Sequence, residues 1–322
     1  ILLGGAACLL FAIYAIPKIQ IDTNYVTQFK ENSVVRQDIL YLDRIFKGVL
    51  TLDVILDSGE IEGVKDPEFL RQVEEFQAWL EGREATGPVN SLVDYLKEIN
   101  QALNGDDPAY YRLPTSREMA AQFLLLYDSS GANEDLSDIK DFVNRYLRLI
   151  VPIVNMAASD ARIELQTIPS HVQHNYPALD PLLTGGMDLR TAQDVYAAAG
   201  MSRSFGTALI VISIFFLVLF RSFKYGVLSI IPSVLPILLT GGIAGLFGIY
   251  LDLNTMLVGA MTMGIAVDDS IHVMSRYLAV KQTGASTRQA IEHAMRESGR
   301  AVIFSSAVLI VGFSVFCLAS FT

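Results

Sequence analysis

Five apolar blocks, separated by polar stretches, set the layout of this chain. Four of them follow residue 200, and each approaches the roughly 20 residues that a membrane-spanning helix needs. They lie at about residues 204–220, 225–250, 255–275 and 301–321. The pattern predicts transmembrane helices two to five within residues 201–322.

The remaining apolar block occupies residues 1–17 and is short for a span. We interpret it as the end of a first, truncated membrane helix, which Pro17 and Lys18 terminate. A signal peptide is the alternative interpretation. Residues 18–200 are polar enough to predict one soluble domain between the first span and the second.

Strand and helix patterns alternate in the first part of this soluble segment. Residues 48–57 alternate apolar and polar side chains, which predicts a strand, and a helix is predicted over Val34–Phe46. A second helix begins at Asp66-Pro67, where Asp can cap the helix and Pro fits its first turn. Its apolar face contains Phe69, Leu70, Val73, Phe76 and Leu80. The alternation predicts a small α/β unit.

Helical periodicity replaces this alternation at about residues 89–130, which we interpret as a helical insertion. A polar turn at 104–114 divides it. Further along, residues 145–155 predict a strand, and residues 159–174 fit either a helix or a strand that Pro169 interrupts. Thr184, Gly185 and Gly186 predict a turn, and residues 192–203 a helix that runs into the second span.

Two places in the soluble segment have side chains that can bind metal ions. Asp106 and Asp107 precede aromatic residues, and His171 and His174 lie three residues apart. A solvated turn with a helix cap is the favoured interpretation of the Asp pair. The His pair has no Cys and no third His nearby, which disfavours a metal site. We therefore predict neither a metal nor an organic cofactor.

The fourth predicted span contains two adjacent carboxylates, Asp268 and Asp269, inside an otherwise apolar helix. A charge at bilayer depth costs about 2.5–3.5 kcal/mol even on the insertion scale with the lowest values. We therefore expect this face to look into a helix bundle and at least one Asp to be protonated much of the time. The alternative interpretation is a polar pair that serves only helix packing.

The neighbours of the two carboxylates fit a proton relay. Gly264 lies one turn before Asp268, where it would let a neighbouring helix approach closely. His272 lies one turn after Asp268 and could shuttle protons at the cytoplasmic mouth, although a passive polar role near a helix end is the alternative. We predict a relay of Asp268, Asp269 and His272, and we rank Asp268 first because it shares a face with Gly264 and His272.

Basic residues are unevenly distributed among the loops that join the predicted spans. The loop at 221–224 has two Lys and Arg residues and the segment 276–300 has five, whereas the turn at 251–254 has none. The positive-inside rule places the first two in the cytoplasm, with residues 278–300 as an amphipathic segment. Alternating spans then put residues 18–200 outside the cytoplasm.

The two parts of the chain differ in net charge. Residues 19–200 contain 15 basic and 29 acidic residues, and the remainder contains 9 basic and 5 acidic residues. An acidic soluble part beside a basic, apolar part argues against binding to nucleic acid. Both cysteines, Cys8 and Cys317, lie in apolar blocks, so the sequence predicts no disulfide in the soluble part.

Residues 264–272, Gly-Ile-Ala-Val-Asp-Asp-Ser-Ile-His, resemble the signature of the resistance-nodulation-division (RND) superfamily. The closest resemblance is to the MMPL-type hydrophobe/amphiphile exporters of Gram-negative bacteria, which include the hopanoid transporter. The stretches 104–114, 123–127 and 184–186 also resemble that branch. More distantly, the membrane part is similar to the sterol-sensing helices of Patched and Niemann-Pick proteins.

The resemblance implies an RND-type membrane helix bundle with an extracytoplasmic α/β porter domain. It implies a multi-pass protein of the bacterial inner membrane, with its large domain in the periplasm. The implied activity is proton antiport, which exports lipids or other amphiphiles and needs no cofactor besides the proton gradient. The family has twelve spans and two porter domains, so the chain resembles an N-terminal half.

The resemblance also implies partners. Polar groups of the second half of the transporter complete the relay in the family, and that half is therefore the first expected partner. A homo-oligomer and periplasmic or outer-membrane partner proteins are further expectations. The membrane itself and a lipid or amphiphile substrate complete the set.

Three other functions compete with export. A SecD/SecF-like protein-translocation accessory belongs to the same superfamily, but Ser270, Ile271 and His272 depart from the Asn-containing run that follows the Asp in that branch. A sterol-sensing-like lipid receptor would not need two adjacent titratable groups in a span. An enzyme is disfavoured because no nucleophile–base set and no Gly-rich phosphate loop occurs in the sequence.

Overall fold

The structure is a computed structural model that describes residues 11, 14, 22–129, 136–177, 179–249 and 252–318. The predicted first span at residues 1–17 lies outside the described residues, apart from Phe11 and Tyr14. The chain divides into two compact units, of which one is Asn24–Gln193 and the other includes the chain from Asp194 onwards. Each unit is described by itself below.

The first unit combines helices with one small sheet. Its elements are α1 (Val34–Phe46), β1 (Leu50–Asp57), α2 (Pro67–Glu81), α3 (Leu92–Leu103), α4 (Arg117–Ser129), β2 (Tyr146–Ile153), α5 (Ala158–Asn175) and β3 (Asp180–Thr184). Short 3-10 helices occupy Gly63–Lys65, Pro108–Tyr110 and Leu136–Asp138. The predicted mixture of helices and strands is present, and residues 159–174, which fitted either state, form a helix that contains Pro169.

The sheet has three antiparallel strands in the order β2–β1–β3. Val54 of the central strand lies opposite Leu149 of β2 and Leu183 of β3. Burial alternates along β1 and β2, so one face of each strand packs into the hydrophobic core. Strand β3 was not predicted, because Asp180–Thr184 is short and has no complete alternation.

The start of α2 follows from its sequence. The Asp66 carboxylate accepts hydrogen bonds from the backbone N–H groups of Glu68 at 2.8 Å and Phe69 at 3.3 Å, and Pro67 occupies the first turn. The predicted apolar face is buried except for Phe69, which is partly buried against the core. The cap sets the start of α2, and the apolar face packs into the hydrophobic core.

Asp107 of the polar turn also caps a helix. Its carboxylate accepts a hydrogen bond from the backbone N–H of Ala109 at 2.9 Å, at the start of the 3-10 helix Pro108–Tyr110. The favoured interpretation of Asp106 and Asp107 as a capped turn is therefore confirmed. Helices α3 and α4 flank this turn and fill most of the predicted helical stretch.

An ion pair between Arg145 and Asp57 joins the end of β1 to the residue before β2. Two bonds connect the side chains, Nε to Oδ1 at 2.8 Å and Nη2 to Oδ2 at 2.7 Å. The hydrogen bond from the Arg145 guanidinium lowers the pKa of Asp57 to about 2. Because the usual pKa of an Asp is about 3.9, folding favours the ionised form.

We expect Asp57→Asn to remove an acid-sensitive part of the stability of this unit. A lowered carboxyl pKa stabilises the fold above the unfolded value and loses that effect as the pH falls towards 2. Wild-type stability should therefore decline between pH 4 and pH 2 by about 1 kcal/mol or less, the size typical of exposed ion pairs. The fluorescence of Trp79, the single Trp of the chain, reports unfolding. Asp38→Asn, at an exposed carboxylate of α1, should keep the wild-type profile, and an unchanged profile in Asp57→Asn would contradict this role of the pair.

The second unit consists of long helices. They are α6 (Gly186–Phe220, which begins in the first unit), α7 (Phe223–Leu246), α8 (Leu253–Gln282), α9 (Thr287–Glu297) and α10 (Gly299–Ser314), followed by a 3-10 helix at Val315–Leu318. Among the described residues, α6, α7 and α8 are long and apolar enough to cross a membrane. Helices α9 and α10 meet at a bend of 44° and would count as a fourth span only together.

Several predicted boundaries of the membrane helices are wrong. Helix α8 continues to Gln282, so residues 278–282 belong to it and not to a separate amphipathic segment. The helix ends just before Gly284, whose φ of 87° suits the end of a helix. Helix α7 starts at Phe223 and ends at Leu246, although its predicted span was 225–250. The fifth predicted span, 301–321, coincides with α10, which starts at Gly299 and ends at Ser314, and with the 3-10 helix Val315–Leu318. Its last residues, 319–321, lie outside the described residues.

Candidate functional site

The candidate site lies on α8, which is capped at its start and packs against two other helices. The carboxylate of Asp252 caps the helix, since it accepts bonds from the Thr255 backbone N–H at 2.8 Å and from the Thr255 hydroxyl at 2.6 Å. Helix α7 packs along one side of α8, and α9 packs against its later part. The adjacent Asp268 and Asp269 therefore have different surroundings, because neighbouring residues of a helix point about 100° apart.

Asp269 points towards α7. Its side chain lines a cavity of about 590 Å³, here named the relay cavity, with residues of α7 and α8 and with Val302 of α10. The walls are mostly apolar and consist of Leu228, Ser229, Ile231, Pro232, Pro236, Ala266, Ser270, Val273, Met274 and Val302. Asp269 is thus the carboxylate that faces the interior of the described helix group.

Asp268 lies on another face of α8, together with His272. The distance from His272 Nε2 to Asp268 Oδ1 is 3.5 Å, which is longer than a normal hydrogen bond. Both side chains are exposed among the described residues, with exposed fractions of 73% for Asp268 and 69% for His272. The structure therefore brings the predicted pair Asp268–His272 together and separates it from the surroundings of Asp269.

Gly264, where the sequence predicted close approach of another helix, has no such neighbour among the described residues. A methyl group added at Gly264 would meet no atom within 4 Å in the described part of the chain. The close approach occurs at Gly259 instead, where an added Cβ would lie 3.3 Å from Cζ of Phe205 in α6. The close approach of another helix at Gly264 stays a prediction, because the face of α8 that meets another helix cannot be read from the sequence of α8 alone.

Three serines accompany the site and were not predicted. Ser229 and Ser233 of α7 are almost fully buried, and Ser233 Oγ lies 3.4 Å from Ser270 Oγ of α8. The Ser270 hydroxyl also donates to the backbone carbonyl of Ala266 at 2.8 Å. The available signal was the spacing of Gly226, Ser229 and Ser233, small residues three and four apart on one face of α7, which typically mark a helix–helix contact.

The first unit, Asn24–Gln193, is named the soluble unit below, after the soluble domain that the sequence predicted. One member of its His pair, His171, has a structural role. The ring of His171 stacks on Trp79, with centroids 3.7 Å apart and planes within 7°. Burial, and then the charge of Arg83, lower the pKa of His171. Within the described residues there is no group of three or more His, Cys, Asp or Glu side chains that could hold a metal ion.

Two comparisons with known proteins bear on this site. The family model described as the AcrB/AcrD/AcrF family matches residues 153–318, which is more than half of the chain and includes the whole of α8. The chain is also 26% identical over 275 residues to "Putative membrane protein MJ1562" of Methanocaldococcus jannaschii. That alignment covers 81% of this chain and 65% of the relative, so the chain spans less than two thirds of the length of the relative it matches.

Proposed function

Because the chain belongs to the AcrB/AcrD/AcrF family, and hence to the transporters of the RND superfamily, we propose that it exports lipids or other amphiphiles and is driven by protons. The observation that carries this proposal is the Asp268–Asp269 pair on α8. One carboxylate lines the relay cavity and the other lies beside His272. Membership of the MMPL-type branch, and with it the lipid substrate, is part of the proposal and rests on the resemblance described above.

Proton binding at the pair can drive a conformational change. Protonation removes a charge from between the helices, so packing of α7 against α8 becomes more favourable in one arrangement than in the other. Each proton that crosses a potential of ~100 mV supplies about 2.3 kcal/mol before any pH gradient is added. That amount moves a two-state equilibrium about fifty-fold, a substantial shift between the two arrangements.

Helix α6 is suited to pass this change to the soluble unit, which we propose to be a periplasmic porter domain. It is one continuous helix of 35 residues that begins directly after β3. Gly185, with a φ of 98°, makes the turn between them, and a Cβ at this position would lie 3.0 Å from the backbone N of Asp53 in β1. The start of α6 is therefore fixed tightly against the sheet.

Location in the bacterial inner membrane, with the soluble unit in the periplasm, completes the proposal. The support is the charge distribution, since basic residues concentrate at Arg221–Lys224 and in residues 276–300. The second half of a duplicated transporter would supply the polar partners of the exposed Asp268 face.

We expect cysteines introduced at Glu60 and Gln282 to react from opposite sides of the membrane. Both positions are exposed, and Gln282 is the last residue of α8. In a full-length protein with its native cysteines replaced by Ser, an impermeant maleimide should label Glu60→Cys in intact spheroplasts and Gln282→Cys only after lysis. Labelling of both positions from the same side would contradict the proposed orientation.

The test of the function itself is export by the full-length protein with and without a proton gradient. It is combined with substitutions at Asp268 and Asp269, which remove one titratable carboxylate at a time.

A further inference from the structure

A second cavity lies between α7, α8 and α9 and has a basic end. Its volume is about 520 Å³, and we name it the lysine groove. It is lined by Lys224, Tyr225, Leu228, Val273, Met274, Tyr277, Lys281, Thr287, Ile291, Ala294 and Met295. No carboxylate belongs to this lining.

The two lysines come from opposite ends of their helices. Lys224 lies in the first turn of α7 and Lys281 in the last turn of α8, so both occupy the same end of this helix pair. Lys281 Nζ donates to the Ala285 carbonyl at 3.1 Å and to the Thr287 hydroxyl at 3.3 Å. An ammonium group has three N–H donors, so one donor of Lys281 is left for a ligand.

Nearby carboxylates are already paired with other basic side chains. Glu292 of α9 contacts Arg288 at 3.0 Å. Glu297 contacts Arg276 at 3.4 Å and His293 at 3.1 Å. Within the described residues neither Lys224 nor Lys281 lies within 4 Å of a carboxylate. The groove therefore keeps a net positive charge.

Two tyrosines stand beside the lysines. The rings of Tyr225 and Tyr277 meet edge to face, with centroids 5.9 Å apart, and Lys224 Nζ lies 6.0 Å from the centre of the Tyr225 ring. Tyr is typical of the depth where a spanning helix meets lipid headgroups, because its ring is apolar and its hydroxyl can form hydrogen bonds. This end of the groove thus has the composition of the membrane interface.

The opposite end of the groove is apolar and continues towards the site on α8. Leu228, Val273 and Met274 line both the lysine groove and the relay cavity. The combined surface therefore changes along its length from cationic to apolar. A molecule that matches it has an anionic head and a long hydrocarbon tail.

We propose that the lysine groove binds an anionic phospholipid from the membrane. Its phosphate contacts Lys224 and Lys281, and an acyl chain lies along Leu228, Val273 and Met274. A soluble phosphate would leave these apolar walls in water, and burial of apolar surface adds affinity for a lipid. The proposal does not rest on the transport activity proposed above.

Native mass spectrometry of the full-length protein in detergent tests the proposal. Phosphatidylglycerol and phosphatidylcholine with identical acyl chains are added in competition. We expect the wild-type protein to retain phosphatidylglycerol preferentially. In the double variant Lys224→Gln/Lys281→Gln this preference should fall about thirty-fold, because each basic residue near an anionic headgroup contributes about 1 kcal/mol. Arg296→Gln/Arg300→Gln removes the same charge at exposed positions of α9 and α10 outside the groove lining and should keep the preference.

A second variant tests the apolar part of the groove without changing its charge. Val273→Trp keeps both lysines and fills the apolar part, so it should reduce retention of both lipids, with helix content checked by circular dichroism. Equal retention of the two lipids by the wild-type protein would overturn the proposal. The proposal would also be overturned if the double Lys variant kept its preference for phosphatidylglycerol. Displacement of the bound lipid by millimolar inorganic phosphate would overturn it too, because it would indicate a site for the free anion.

Discussion

Asp269→Asn is expected to reduce export by the full-length protein to the level of cells that lack it. An amide has nearly the shape of a carboxylic acid and forms similar hydrogen bonds, but it cannot bind and release a proton. The fold should therefore persist, since the change removes a carboxylate from an apolar cavity. Export of a fluorescent amphiphile, measured with and without an uncoupler and normalised to expression, gives the result.

The same change at Asp268 separates the two carboxylates. The sequence ranked Asp268 first, but the structure directs Asp269 into the relay cavity and places Asp268 beside His272 on an exposed face. We expect Asp268→Asn to impair export strongly as well, because it removes the carboxylate that lies next to Asp269 in the chain and beside His272. His272→Ala should be milder, since water can replace a shuttle at the cytoplasmic mouth.

A matched control lies on the same helix. Asp252→Asn is the identical chemical change at the cap of α8, and Asn caps a helix about as well as Asp. This variant should export normally. If Asp269→Asn exports at the wild-type rate and the uncoupler still stops it, the proton site lies elsewhere. If neither Asp variant affects export, the pair serves only helix packing and the proposed mechanism is wrong.

Local signals in the sequence predicted much of the soluble unit. The position of α2 was predicted from three signals: the cap at Asp66, Pro67 in the first turn and the periodic apolar face. All three act within a few residues of one another. Helix α1 also has the predicted bounds Val34–Phe46, and it ends where Lys47 adopts a left-handed backbone conformation. Strand β3 was missed, since Asp180–Thr184 acquires its state from pairing with β1 and not from its own pattern.

The site illustrates a similar limit. An adjacent pair of Asp residues inside an apolar helix indicates a functional position, because placing carboxylates in a membrane has a high free-energy cost. The rotation of α8 against α7 decides which of the two lines a cavity, and the sequence of one helix does not contain that rotation. The same applies to Gly264 and Gly259, of which only Gly259 approaches another helix among the described residues.

Leu52→Ala should have the largest effect on the stability of the soluble unit. Leu52 lies on the central strand, opposite Val151 of β2, and is fully buried in the core. Burial of such a side chain removes apolar surface from water, and truncation to Ala also leaves a cavity because the flanking strands cannot close around it. Changes of this kind cost about 2–5 kcal/mol.

Trp79 makes this expectation measurable in the full-length protein. It is the single Trp of the chain and packs against the same core, so its fluorescence reports this unit and not the membrane helices. The midpoint of thermal unfolding should fall by roughly 5–15 °C in Leu52→Ala. Leu182→Ala removes the same atoms from an exposed position of β3 in the same sheet and should shift the midpoint little. Equal midpoints for the two variants would contradict the role of Leu52 in the core of this unit.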